Sequence, residues 1–160
     1  MKIIEYENKY AKDAAAVWNE VVREGKAFPQ ENELTEKDAD KFFSEQSYTG
    51  LAVDENESVL GIYILHPNNV DRCGHICNAS YAVKSELRGK HIGESLVCDC
   101  IKKAAQIGFG ILQFNAVVSS NTAALKLYKK LGFTRLGTIP GGFRNKNGEY
   151  EDIIPHYKVL

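Results

Sequence analysis

No stretch of this 160-residue chain approaches the ~20 consecutive apolar residues that a membrane-spanning helix requires, so nothing in it reads as crossing a bilayer. The first turns of chain place charges at Lys2, Glu5, Glu7 and Lys9, where a secretory leader carries its apolar core. Cysteine is scarce. Cys73, Cys77, Cys98 and Cys100 are too few for a disulfide scaffold at this length, which fits a reducing, cytoplasmic setting. Neither sign of charge dominates, with 20 Lys+Arg against 21 Asp+Glu. The chain therefore has no global positive field for nucleic acid or an anionic membrane, and any phosphate site must be local. Cys73, His75 and Cys77 invite a zinc reading, but Cys98 and Cys100 fall inside a helical pattern, and no metal site is expected. There is no internal repeat, low-complexity tract or linker, so residues 1–160 are expected to form one domain.

What is present alternates between strand and helix. Residues 2–6 read as a strand, and 9–23 as a helix with Ala14, Val17, Trp18, Val21 and Val22 on one face and Gly25 as its stop. Thr35 opens a second helix through Phe43, with Glu36 and Asp38 in its first turn. Strands over 49–54 and 58–66 flank the polar turn at 54–57, and a further strand spans 76–83. Residues 92–107 carry apolar side chains at helical spacing, 111–118 form an apolar strand, and Ala124, Leu127, Tyr128 and Leu131 mark a last helix stopped by Gly132. Strands over 133–139 and 150–159 complete the expected set. The order implies an α/β fold: a mixed central sheet of about seven strands with four helices.

One junction carries chemistry. Ser85-Glu86-Leu87-Arg88-Gly89-Lys90-His91-Ile92-Gly93-Glu94-Ser95 joins a strand to an amphipathic helix. A helix start presents unpaired backbone N–H groups and partial positive charge, which suits a pyrophosphate. Gly89 and Gly93 let backbone approach a ligand closely, while Arg88 and Lys90 add charge. A plain polar turn before a helix is the competing reading.

This segment resembles the acetyl-CoA turn of the GCN5-related N-acetyltransferase (GNAT) superfamily, Arg/Gln-x-x-Gly-x-Gly/Ala, with His91 standing in place of the first motif glycine. A second block, Asn121-Thr122-Ala123-Ala124-Leu125-Lys126-Leu127-Tyr128-Lys129-Lys130-Leu131-Gly132-Phe133, is similar to the family's Asn-x-x-Ala-x-x-x-Tyr-x-x-x-Gly-Phe signature. The resemblance implies the acyl-CoA N-acyltransferase fold and acetyl-CoA as co-substrate. The implied cofactor contacts are Ala82, Val83, Arg88, Gly89, Lys90, His91, Ile92, Gly93, Glu94, Ser95, Asn121 and Tyr128. It further implies direct attack of a neutral amine on the thioester, with backbone N–H near Ala82 and Val83 polarising the carbonyl. Tyr128 would then be the general acid toward the CoA thiolate. No acid stands on the strand before the turn to act as base. Cys77 as a nucleophile lacks a histidine in an interpretable order.

Asn78 and Asn115 interrupt otherwise apolar strands. They either satisfy each other or the backbone, or they face a ligand cleft. The blocks Asn78-Ala79-Ser80-Tyr81 and Phe114-Asn115 are similar to acetyltransferases acting on the proline analogue azetidine-2-carboxylate. That resemblance implies substrate binding by Asn78 and Asn115, with Asn115 counted beside Tyr128 in catalysis. The expected partner is a small-molecule amine acceptor of amino-acid type, without nucleic acid or membrane, and a homodimer is left open. Protein or peptide N-acetylation and a non-catalytic acyl-CoA-binding module are the alternatives.

Overall fold

The computed structural model describes residues 1–160. Strand β1 (Lys2–Glu5) leads through a short 3-10 turn into helix α1 (Ala11–Glu24), which ends at Gly25 in the left-handed conformation, φ 60°. Helix α2 (Glu36–Ser44) is capped by the Thr35 side chain, which accepts from the Asp38 amide. Strands β2 (Tyr48–Val53), β3 (Val59–Pro67) and β4 (Ile76–Val83) run as an antiparallel meander with β1. Helix α3 (Ile92–Gln106) crosses over to β5 (Ile111–Phe114), which pairs with β4 in parallel. Helix α4 (Thr122–Lys130) follows, then β6 (Thr134–Arg135), a hairpin of β7 (Ile139–Arg144) and β8 (Tyr150–Ile153), and β9 (His156–Val159). The main sheet has seven strands in the order β1-β2-β3-β4-β5-β9-β6. No helix is long and apolar enough to cross a membrane.

The sheet buries a core on each face. Trp18 lies at the centre of the α1–α2 side, with ring centroids 4.4 Å from Phe28, 5.3 Å from Phe42 and 5.9 Å from Phe43. Leu96, Val97, Cys100, Leu112 and Phe114 fill the α3–α4 side. Because strand side chains alternate, these two cores fix orientation. On β4, Ala82 belongs to the α1 side and Cys77 and Ala79 to the α3 side; on β5, Leu112 and Phe114 face α3. Asn78, Ser80, Gln113 and Asn115 are thereby placed together on the α1 side.

The four helices and mixed seven-stranded sheet match the sequence expectation, and three strands do not. The strand expected over 111–118 stops at Phe114: the chain leaves the sheet, and Val118 bridges Ile153 while the Ser119 amide donates to Asp152 C=O and Ile154 N–H to Val117 C=O. The strand expected over 133–139 is two residues long, because β7 starts a separate hairpin at Ile139. The strand expected over 150–159 breaks at Ile154-Pro155, where proline has no amide to continue a ladder; the Pro155 C=O accepts instead from the Leu136 amide, 2.9 Å.

Candidate active site

The turn between β4 and α3 is built around donors without acceptors. A 3-10 turn at Ser85–Leu87 is followed by Gly89 at φ +81° and His91 at φ 61°, both in the left-handed region. A histidine there is strained by about 1 kcal/mol, whereas glycine takes that conformation freely. The position where a family glycine was expected is therefore one whose backbone favours glycine. Ser95 N–H makes the first helical bond, to His91 C=O at 3.1 Å, and the amides of residues 89–94 donate to nothing within the chain. Six consecutive free amides at the positive end of a 15-residue helix form an anion cradle. A Cβ built on Gly93 meets only Val83 Cγ2, at 3.8 Å, so the fold itself leaves that space open.

Side chains around the cradle are already engaged. Arg88 Nη1 lies 2.9 Å from the Glu24 carboxylate at the end of α1, and Glu20 accepts from the Ser85 amide at 3.0 Å. Glu94 pairs with Lys130 of α4 and, at 3.1 Å, with His91 Nδ1; these two partners, Lys130 first, hold its carboxyl below the usual range. The negative charge closest to the helix start is thus neutralised. Lys90 is exposed, Ile92 packs into the α3-side core while its amide stays free, and Ser95 Oγ donates to His91 C=O.

Beside the cradle the sheet is split. β4 and β5 pair only at Ile76 with Ile111 and Cys77 with Leu112. Asn68 N–H bonds to Ile76 C=O at one end of the β3–β4 ladder, and Lys84 N–H to Leu60 C=O at the other. In an antiparallel ladder such pairs recur at every second residue, so residues 76, 78, 80, 82 and 84 are tied to β3. The amides of Ala79, Tyr81 and Val83 point the opposite way, into the gap. Ala82, expected to offer an amide to a ligand, is in the ladder opposite Ile62; Val83 is on the open edge, and Tyr81 joins it.

Two adjoining cavities occupy the gap. One, of about 340 Å³, is bordered by Val83, Arg88, Lys26, Ser120 and Asn121. The other, of about 220 Å³, is lined by Phe28, Pro29, Asn78, Asn115, Phe114 and Tyr128. Tyr81 and Asn121 border both. Asn121 caps α4, its Oδ1 accepting from the Ala124 amide at 3.2 Å, which leaves the side-chain NH₂ free. The capping role and a place in the cleft therefore coexist. Tyr128 packs, with its ring tilted, in an aromatic group, 4.5 Å from Phe114 and 5.4 Å from Phe133, and burial pushes its phenol well above the ordinary tyrosine range. The Tyr81 hydroxyl is buried without a hydrogen-bond partner.

Asn78 and Asn115 do not bond each other. Asn115 Nδ2 donates to Asn68 Oδ1 at 2.6 Å, and its Oδ1 accepts from Gln113 Nε2 at 3.0 Å and Asn68 Nδ2 at 3.2 Å. Asn68 and Gln113 escaped sequence reasoning; Asn68 sits 47 residues from the side chain it orients. Glu24, Lys26, Ser120 and Glu151 were missed for the same reason, since their partners are distant in sequence. Cys77 is fully buried, donates to Ile111 C=O at 3.2 Å, and has its thiol pushed up to about 11 by burial, which disqualifies it as a nucleophile. No three His, Cys, Asp or Glu side chains come together as metal ligands anywhere.

The profile of the acetyltransferase (GNAT) family matches residues 15–133, which includes the cradle, the open edge and α4. The chain belongs to the GNAT acetyltransferase family. N-acetyltransferase aca1 of Schizosaccharomyces pombe is 31% identical over 147 residues, covering 82% of this chain and 70% of that protein. A GCN5-related N-acetyltransferase from Kribbella flavida superposes with a TM-score of 0.91 at 31% identity, covering 99% of this chain and 97% of the other. The Sinorhizobium meliloti phosphinothricin acetyltransferase structure, determined in complex with acetyl-CoA, has a TM-score of 0.91 at 20% identity, over 99% of this chain and 88% of that one. This GNAT protein is an acetyl-CoA-dependent N-acetyltransferase, and its free amides and open strand edge fit that co-substrate.

Proposed function

We propose that the acceptor is the amine of a small, amino-acid-like molecule, held by Asn78 and Asn115 and attacking the thioester directly. The observation that carries this reading is the cavity of about 220 Å³, in which both amides stand on the α1 side of the split sheet against Phe28, Pro29 and Tyr128. A peptide acceptor needs an open groove; here the loop after α1 walls the site. The similarity of the Asn78 and Asn115 blocks to azetidine-2-carboxylate acetyltransferases supports the same class.

Acetyl-CoA supplies the acetyl group as an activated thioester. The amides of residues 89–94 hold its pyrophosphate, with Arg88, Lys90 and the Asn121 NH₂ along the path. The Tyr81 and Val83 amides on the open edge donate to oxygen where negative charge grows in the transition state. Asn115, fixed by Asn68 and Gln113, orients the acceptor together with Asn78. Burial keeps the Tyr128 hydroxyl protonated before the reaction, so it is available to donate to the departing sulfur. Because a thiol has a pKa of about 8.5, that donation contributes modestly, and most of the acceleration comes from holding amine and thioester together.

The test is a screen of amino acids, cyclic analogues and polyamines, with thiol release as readout. Azetidine-2-carboxylate or a compact amino acid should be turned over. Asn115→Ala should lower kcat/KM for it by about 1–3 kcal/mol with acetyl-CoA affinity retained. Strong polyamine turnover that neither asparagine affects would refute the amino-acid pocket.

A further inference from the structure

An amine nucleophile must shed a proton, and β4 offers no carboxylate to take it. Ser120, in the segment between β5 and α4, borders the cavity of about 340 Å³ that the Tyr81 and Val83 edge also borders. Its hydroxyl donates to Glu151 Oε2 on β8, 31 residues away. Asn145 Nδ2 donates to the other oxygen, Oε1, at 3.1 Å. Asn145 is itself fixed, because its Oδ1 accepts from the Asn147 and Glu149 amides and shapes the β7–β8 turn. That turn is docked on the end of α1 through Lys146 N–H to Gly25 C=O, 3.2 Å. The carboxylate is thus aimed at the serine by a rigid support. Glu151 and Ser120 also border a second cavity of about 300 Å³, lined besides by Lys26, Asn145, Lys146 and Asn147. The serine stands at the junction of the reaction cleft and this polar outlet.

We propose that Ser120 and Glu151 form the proton-accepting pair for the acceptor amine. The serine oxygen takes the proton from nitrogen as the N–C bond forms and the C–S bond breaks. The serine's own proton passes to Glu151 Oε2 and leaves through the outlet; Tyr128 protonates the sulfur and regains a proton from water entering the cleft after product release, so charge and atoms balance over the cycle. Ser120 is the catalytic residue of the pair, and Glu151 acts through it. The Ser120 bond first, then the Asn145 bond, holds the Glu151 carboxyl below its usual range, so it enters each cycle ionised. The charged groups that face it are Lys26 from the loop after α1, Lys146 from the hairpin turn, and Glu149, which shares the Asn145 amide. None of these is a competing proton acceptor on the serine.

This inference rests on the enzyme being an N-acetyltransferase and holds for any amine acceptor. The test therefore uses whichever amine the screen shows to be turned over, which separates it from the amino-acid reading. Ser120→Ala and Glu151→Gln should each lower kcat/KM about a hundredfold near neutral pH, with acetyl-CoA affinity unchanged by calorimetry. The deficit should persist as pH approaches the pKa of the free amine, because even a neutral amine must lose a proton as the N–C bond forms. Ser120→Thr, which keeps a hydroxyl, should restore most of the rate, and this pair carries the test if Glu151→Gln fails to fold. Wild-type rates in Ser120→Ala, or a Ser120→Thr variant no faster than Ser120→Ala, would overturn the assignment.

Discussion

Gly93 separates the demands of the fold from those of the ligand. Its Cβ position touches only Val83 Cγ2 at 3.8 Å, and it is the second residue of α3. Alanine there is in ordinary contact and removes the helix penalty of glycine, worth about 0.5–1 kcal/mol. For a domain of this size that corresponds to a rise in Tm of about 1–4 °C. Tryptophan starts from the same open Cβ position, and its ring is expected to fill the space in front of the free amides. Losing two charge-assisted hydrogen bonds, at about 1.5–3 kcal/mol each, weakens acetyl-CoA binding by at least a hundredfold.

The assay needs no turnover. Ligand at a hundred times its Kd stabilises the native protein by about 2.7 kcal/mol, which the same scaling converts to a Tm increase of about 5–10 °C. Wild type and Gly93→Ala should both show that increase on adding acetyl-CoA. Gly93→Trp should fold and show almost none. A folded Gly93→Trp protein with a full ligand-induced shift would refute the cradle, because an indole and a pyrophosphate cannot share the same volume.

Tyr128→Phe should lower kcat about tenfold while leaving acetyl-CoA affinity intact, because the hydroxyl acts only as charge develops on sulfur; an unchanged rate returns the ring to a packing role. Burial pushes the Cys77 thiol to about 11 and the Cys100 thiol to about 12. Both are raised above their unfolded values, so their contribution to stability is complete below pH about 8.5 and is lost as pH climbs toward 11–12. Denaturant titrations from pH 8 to 11 should show stability falling across that window, and Cys77→Val should flatten the fall; a fall of the same steepness in the variant would exclude the thiol as its cause.

The legible parts of this protein are those whose cause is local. Gly25, the Thr35 cap, the periodicity of α3 and the α4 signature each act within a few residues, and each stands where the sequence placed it. The β7–β8 hairpin was invisible because Pro140, Gly141 and Gly142 lie inside β7, where they erase any alternation, and a register shift separates Ile139 from Phe143. The asparagines were readable as interruptions of apolar strands, yet their partners were not. Asn115 is held by Asn68 across 47 residues, and Arg88 by Glu24 across 64. Such pairs exist only once the sheet has brought β3, β5 and α1 together.

The same unread hairpin explains why the sheet can stay split. Continuing β5 to Val118 alongside β4 would have paired the Ala79, Tyr81 and Val83 amides and closed the cleft. The chain instead turns away after Phe114, and its next backbone groups still need partners, since a buried unpaired peptide group costs about 1–3 kcal/mol. The β8 end of the hairpin and the residue after it supply them: Asp152 C=O accepts from Ser119, Ile154 N–H donates to Val117, and Val118 packs with Phe143 and Ile153. With residues 117–119 satisfied there, β4 keeps its free edge at no cost to the departing strand. The same detour brings Ser120 to Glu151 and Asn121 to the start of α4. The hairpin that holds the gap open is thus also the element that carries the Glu151 carboxylate to Ser120, while the β4 edge stays unpaired beyond Cys77.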